Sequence, residues 1–140
     1  MSDKEAVPTN AVQGAAPVLV VDDDELTQEL LLEMLVALGF SDVQSALDGR
    51  QALKILANKQ RPPQLLVCDI FMPEMDGFEF LEKLVALKFT GGVVMMTGGD
   101  PQMLRIAREI AVTNRLNVIG AFLKPISLVQ MSSAIAALSK

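Results

Sequence analysis

Histidine, tryptophan and tyrosine are all absent from the 140-residue chain, and Cys68 is its single cysteine. Without an imidazole there is no histidine ligand for zinc and no histidine base beside a serine or cysteine nucleophile. A lone cysteine forms no internal disulfide. No run of lysine or arginine grips a phosphate backbone, and 12 basic against 17 acidic residues give a formal net charge of −5, so nucleic acid is not expected as a direct ligand. A membrane span needs about 18 or more unbroken apolar residues. The richest stretch, Leu26 to Phe40, is interrupted by Thr27, Gln28, Glu29 and Glu33, so no membrane insertion is expected. The first residues, MSDKEAVPTNAVQGAAP, lack the continuous apolar stretch of a secretory signal, which makes cytoplasmic residence the expectation. Any chemistry is left to carboxylates, hydroxyls, lysine and the backbone.

The composition is 51% hydrophobic and 21% charged with a mean hydropathy of +0.38, enough apolar surface to build one globular core. Residues 1 to 16 show no periodicity and read as a flexible leader, leaving 17 to 140 as one domain. Val18 to Val21 is a short β-branched run without alternation, the pattern of a parallel strand buried on both faces. Helical spacing follows from Asp24 or Glu25 to Leu38 through Leu26, Leu30, Leu31, Met34, Leu35 and Leu38, and Gly39 stands at its end. The same alternation recurs. Strands are expected at Val43–Ala46, Gln64–Asp69, Val93–Met96 and Asn117–Leu123. Helices are expected from Asp48-Gly49 to about residue 59, over Phe78–Lys88 with Phe78, Leu81, Leu84 and Val85 inward, from Asp100-Pro101 onward, and from about Ser127 to Ser139. Five strands alternating with five helices imply a doubly wound α/β fold with a parallel sheet covered on both faces.

Ligands of such sheets sit beyond the carboxyl ends of the strands. Those ends carry Asp22-Asp23-Asp24, Asp69, Thr97 and Lys124-Pro125. Clustered carboxylates repel one another and either take up protons or bind a cation, and an all-oxygen set suits Mg²⁺. A carboxylate nucleophile beside a metal, a hydroxyl and an ammonium is equipped for phosphoryl transfer. Asp69, isolated at the end of the third strand, is the natural nucleophile. Asp24 and Glu25 read as helix-capping acids, Asp76-Gly77 as a turn and helix start, and Cys68 as core.

The segments VLVVDDDE (18–25), LLVCDIFMPEMDG (65–77), VVMMTGG (93–99) and FLKPI (122–126) resemble response-regulator receiver domains of the CheY-like superfamily, over residues 18 to 139. The resemblance implies a flavodoxin-like sheet of order 2-1-3-4-5. It implies Asp69 as phosphoacceptor, and Asp22, Asp23, Asp69 and the carbonyl of Phe71 as Mg²⁺ ligands, Asp22 chiefly through water. It gives Thr97 and Lys124 the phosphoryl oxygens, and Lys124-Pro125 a cis peptide bond. It further implies a single-domain response regulator, not a conventional enzyme, that takes phosphoryl from a histidine kinase or histidine phosphotransfer protein. The signal would pass to a downstream protein, with a homodimer through helix four, strand five and helix five as one output. No effector region is expected after residue 140. One departure concerns position 121, where receivers often carry a tyrosine or phenylalanine coupled to the threonine. Here it is Ala121, and alternation puts Phe122 on the opposite sheet face. The last helix is expected to need Leu128, Met131, Ile135 and Leu138 inward. Two alternatives stay open: a receiver-like scaffold that signals without phosphorylation, and a Mg²⁺-dependent phosphohydrolase resembling the haloacid dehalogenase group, with Asp22 as nucleophile and Asp24 as acid/base.

Overall fold

A computed structural model describes residues 16–58, 60–72 and 75–138. Among the described residues ten elements alternate: β1 (Pro17–Val21), α1 (Glu25–Ala37), β2 (Asp42–Ala46), α2 (Gly49–Leu56), β3 (Leu65–Asp69), α3 (Gly77–Ala86), β4 (Gly92–Thr97), α4 (Pro101–Thr113), β5 (Asn117–Leu123) and α5 (Leu128–Leu138). The strands form one parallel sheet of order β2-β1-β3-β4-β5, the flavodoxin-like order that the resemblance implied. The three middle strands are buried throughout or nearly so, which is why they read as apolar runs without alternation.

Two cores result, one on each face of the sheet. Leu19, Val21, Leu66, Cys68, Val93 and Met95 point toward α2, α3 and α4. Val18, Val20, Leu65, Val67, Val94 and Met96 point toward α1 and α5. Ala121 packs on the first side and Phe122 on the second, as alternation requires. Phe122 has room there because residue 120 is glycine: a Cβ on Gly120 would come within 2.6 Å of the Phe122 ring.

Polar groups at the chain ends of the helices fix where each begins and stops. The side chains of Asp24, Asp48, Asp76 and Asp100 each accept a backbone N–H of the first turn, capping α1 to α4. Ser127 and Gln130 cap α5 reciprocally: the Ser127 hydroxyl accepts the Gln130 N–H at 3.0 Å, and the Gln130 side chain accepts the Ser127 N–H at 2.9 Å. Three helices end in left-handed residues, Gly39, Lys88 and Arg115. The next residue in each case (Phe40, Phe89, Leu116) donates back to a carbonyl five positions earlier.

Several helical faces and limits differ from the sequence expectation. In α1, Leu31, Leu35 and Leu38 are buried, but Leu26 and Leu30 are more than half exposed. In α3, Leu81 and Leu84 are buried and Phe78 and Val85 pack half-buried against the same core, as expected, but the fully buried aromatic is Phe80, which is absent from the sequence expectation. In α5, Ala134 is buried with Met131 and Ile135, and Leu128 is exposed. In α4, where the sequence reads Met103, Leu104, Ile106, Ala107, Ile110 and Ala111 at helical spacing, Ile106 and Ile110 are exposed beside buried Leu104, Ala107 and Ala111. The helix expected to reach residue 59 ends at Leu56, because Asn58 donates its N–H to Ile55 O and accepts that of Gln60 through its side chain, forming a turn. Residues 1–15 of the expected leader, and residue 139 at the expected end of the last helix, lie outside the described residues. Ala16, placed in that leader, is buried in the α1/α5 core.

Candidate functional site

Strand lengths deliver the polar residues to one edge. β1 stops at Val21, and the Asp22 N–H donates to Ala46 O at 3.1 Å, so Asp22 is the last residue held by the sheet there. β3 ends on Asp69 itself, and the Ile70 N–H donates to Met96 O at 2.9 Å. Beyond β5, the Lys124 N–H donates to Thr97 O at 2.8 Å, joining the ends of β4 and β5. Lys124-Pro125 is cis. The loop after Asp69 is tied at its far end, where the Gly77 N–H donates to Ile70 O at 3.0 Å; a Cβ at 77 would sit 2.3 Å from that oxygen.

Lys124 is the electrostatic centre. Its Nζ lies 2.7 Å from Asp69 Oδ2 and 2.7 Å from Asp22 Oδ2. The contact with Asp69 is a hydrogen bond; that with Asp22 is a close ion pair without hydrogen-bond alignment. Asp22 is fully buried. Burial pushes its carboxyl above the ordinary carboxylate value, against the opposing pull of the Lys124 ammonium and the Asp24 amide. Burial alone would lower the Lys124 ammonium, but the two carboxylates outweigh it and hold the ammonium above its ordinary value. The other Asp22 oxygen, Oδ1, accepts the Asp24 N–H at 2.8 Å, and Asp69 Oδ1 accepts the Phe71 N–H at 2.9 Å.

Asp23, exposed, completes an acidic group: one oxygen from each of Asp22, Asp23 and Asp69 lies within 4.8 Å of the others. Three carboxylates this close, two of them buried, are a donor set for a hard divalent cation. Thr97 is buried, and its hydroxyl accepts the Gly99 N–H at 3.1 Å. At Gly98 a Cβ would meet only Lys124 Cδ, at 3.8 Å, so the approach over Gly98 is open. Phe71 presents its ring to solvent, 67% exposed.

Asp22, Asp23, Asp69 and Lys124 therefore converge, and Thr97 stands beside them at the end of β4. Asp24 faces the other way: its carboxylate caps α1, accepting the Thr27 N–H at 3.2 Å and the Thr27 hydroxyl at 2.6 Å. The Thr27 hydroxyl holds that carboxyl below its ordinary value, which suits Asp24 poorly as a proton donor. Cys68 is buried and its thiol is pushed far up by burial, a core residue. One contact escaped the sequence: Gln28 Nε2 donates to Asp22 O at 2.9 Å and to Ala46 O at 2.7 Å. A single glutamine in a leucine-rich helix carries no signal of such a role.

A largely apolar hollow of about 230 Å³ adjoins Lys124, between α1 and the β5–α5 connection, bordered by Leu30, Met34, Met96 and Ile126. A larger one of about 540 Å³, beside Pro17, Asp42 and Arg61, lies at the amino ends of the strands, away from the carboxylates. Among the described residues no helix is long and apolar enough to cross a membrane.

The response regulator receiver domain family matches residues 18–136. A probable chemotaxis protein CheY of Rhizobium etli is 32% identical over 123 residues, covering 86% of this chain and 89% of the relative. Other curated relatives are longer: the chain matches mycobacterial response regulators over 90 residues, 38% of their length. A response regulator from Colwellia psychrerythraea superposes with a TM-score of 0.74 at 32% identity, covering 90% of this chain and 98% of that one. A Borrelia burgdorferi CheY, solved in complex with CheX, BeF₃ and Mg²⁺, shares the fold with a TM-score of 0.74 at 23% identity, covering 89% of this chain and 90% of that one.

Proposed function

Because the chain belongs to the response regulator receiver family, we propose that it is a phosphorylation-controlled signalling domain with Asp69 as the phosphoacceptor. One observation carries this: the buried Asp69 carboxylate meets both the Lys124 ammonium, at 2.7 Å, and the acidic pair that follows β1, Asp22 and Asp23, within 4.8 Å. A cation-binding set and a fixed positive charge thus flank a single oxygen nucleophile.

In the transfer, Asp69 attacks the phosphorus of a phosphohistidine on a kinase or phosphotransfer protein. A P–O bond forms, the P–N bond breaks, and the leaving imidazole keeps the electron pair. Asp22, Asp23, Asp69 and the Phe71 carbonyl would hold Mg²⁺, which supplies charge neutralisation at the phosphoryl oxygens. Lys124, already beside Asp69, pairs with a second phosphoryl oxygen. The Thr97 hydroxyl accepts from the Gly99 amide, so its proton is free to be donated to a third. The added charge draws Thr97 and Lys124 inward and biases the α4–β5–α5 face toward a downstream protein or a second copy of the chain. The apolar hollow beside Lys124 gives a phosphodonor protein a seat next to the site.

Intact-mass measurement after incubation with a small phosphodonor and Mg²⁺ tests this. Wild type should gain one phosphate mass and Asp69→Asn none. A gain in both removes Asp69 from its role, and a gain in neither favours the phosphorylation-independent scaffold.

A further inference from the structure

The main chain of Asp22 is held on both sides. Its N–H donates to Ala46 O at 3.1 Å, and its carbonyl accepts from Gln28 Nε2 at 2.9 Å. The same Gln28 nitrogen donates to Ala46 O at 2.7 Å, so one amide bridges the carbonyls that close β1 and β2. An NH₂ group has two hydrogens for these two acceptors. The Asp22 carbonyl belongs to the planar peptide that contains the Asp23 nitrogen. Fixing that plane fixes the N–Cα bond of Asp23, and the Asp24 N–H, held by Asp22 Oδ1 at 2.8 Å, restrains the torsions on either side of the Asp23 Cα. Together they limit the directions open to the exposed Asp23 side chain. Asp23 has no such restraint from burial, being the exposed member of the acidic group.

We propose that Gln28 is a positioning residue for the divalent-cation site: by clamping the Asp22–Asp23 peptide from α1, it holds the Asp23 carboxylate within reach of those of Asp22 and Asp69. Because the amide is neutral, it does so without diminishing the negative potential that draws the cation. A lysine or arginine reaching the same carbonyls would diminish it. The proposal rests on Mg²⁺ binding at these acids, as in the function proposed above.

The test is calorimetric titration of the full chain with MgCl₂ at pH 7, comparing wild type with Gln28→Met, which keeps length and helix propensity but removes both donors. Loss of a group that orients a metal ligand typically weakens affinity about 10- to 100-fold. Gln28→Met should weaken Mg²⁺ binding about tenfold, and should add little further loss in an Asp23→Asn background, because it acts through Asp23. A purely structural role would lower the melting temperature and leave the Mg²⁺ affinity in place. That result, or a full tenfold further loss in the Asp23→Asn background, overturns the proposal. Wild type that takes up no Mg²⁺ overturns the metal reading as well. If Gln28→Met does not fold, the wild-type side-chain amide of Gln28 is followed by NMR. It should be slow to exchange and should shift as Mg²⁺ is added, and an unmoved signal refutes the positioning role.

Discussion

Replacing Lys124 with methionine removes the one ammonium that two buried carboxylates share. The Lys124 side chain is 20% exposed, and those of Asp22 and Asp69 are 0% and 4%. Breaking a buried pair from one side costs about 3–5 kcal/mol, because the partner charge stays behind. Partial solvent access to Lys124 places the expected loss near the lower end, about 3 kcal/mol. For a domain of this size that is a fall in melting temperature of about 10 °C. Without tryptophan or tyrosine, far-ultraviolet circular dichroism is the suitable readout. The loss should be measured in EDTA at pH 7, then again in excess MgCl₂. A divalent cation bound among the same carboxylates substitutes for the missing ammonium, so Mg²⁺ should raise the melting temperature more in Lys124→Met than in wild type. At 100 times its dissociation constant, a ligand specific for the folded state adds about 2.7 kcal/mol, enough to recover most of the deficit. A fall of less than about 3 °C in EDTA, or equal gains from Mg²⁺ in both proteins, would refute the reasoning.

The Asp22 carboxyl sits above its ordinary value in the folded state because of burial. Its ionised form therefore opposes folding at pH 7, and the opposition fades as pH falls through the folded value toward the ordinary 3.8. Asp22→Asn should accordingly melt higher than wild type at pH 7 in EDTA, with the difference narrowing toward pH 4, while its Mg²⁺ affinity falls; a lower melting temperature at pH 7 counts against the account. Gly77→Ala places a Cβ 2.3 Å from Ile70 O and 2.6 Å from Ile70 Cα, contacts with main chain that no rotamer relieves. It should cost about 2–3 kcal/mol in urea denaturation, as overpacking does, and a variant as stable as wild type would show that the β3–α3 loop gives way freely.

The middle strands were legible because burial on both faces leaves an apolar run without alternation, and β3 ends on Asp69 as expected. The edge strand β5 is only half-buried, yet it too begins and ends at the residues expected, Asn117 and Leu123. The convergence of Asp22, Asp23, Asp69 and Lys124 followed from those strand ends alone, since a parallel sheet sends every carboxyl end to one edge. Helix faces were less legible. In α1, leucines occupy more than one side, so periodicity did not separate buried Leu31 and Leu35 from exposed Leu26 and Leu30. In α3, Phe78 and Phe80 compete as anchors, and Phe80 is the one the sheet covers. Lys88 and Arg115 end helices in a conformation usually signalled by glycine, so those ends carried no punctuation. Gln28 was invisible for a different reason: its partners are main-chain carbonyls, and carbonyls have no letter in a sequence.

Ala121 has one further consequence. A methyl group has no side-chain torsion to throw, so on the side of β5 that faces α2, α3 and α4 nothing at this position toggles between two orientations. Any message that travels along β5 from Thr97 is left to small shifts of the main chain, or else crosses to the other side of the sheet, where the ring lying over Gly120 shares a core with Ala134 of α5.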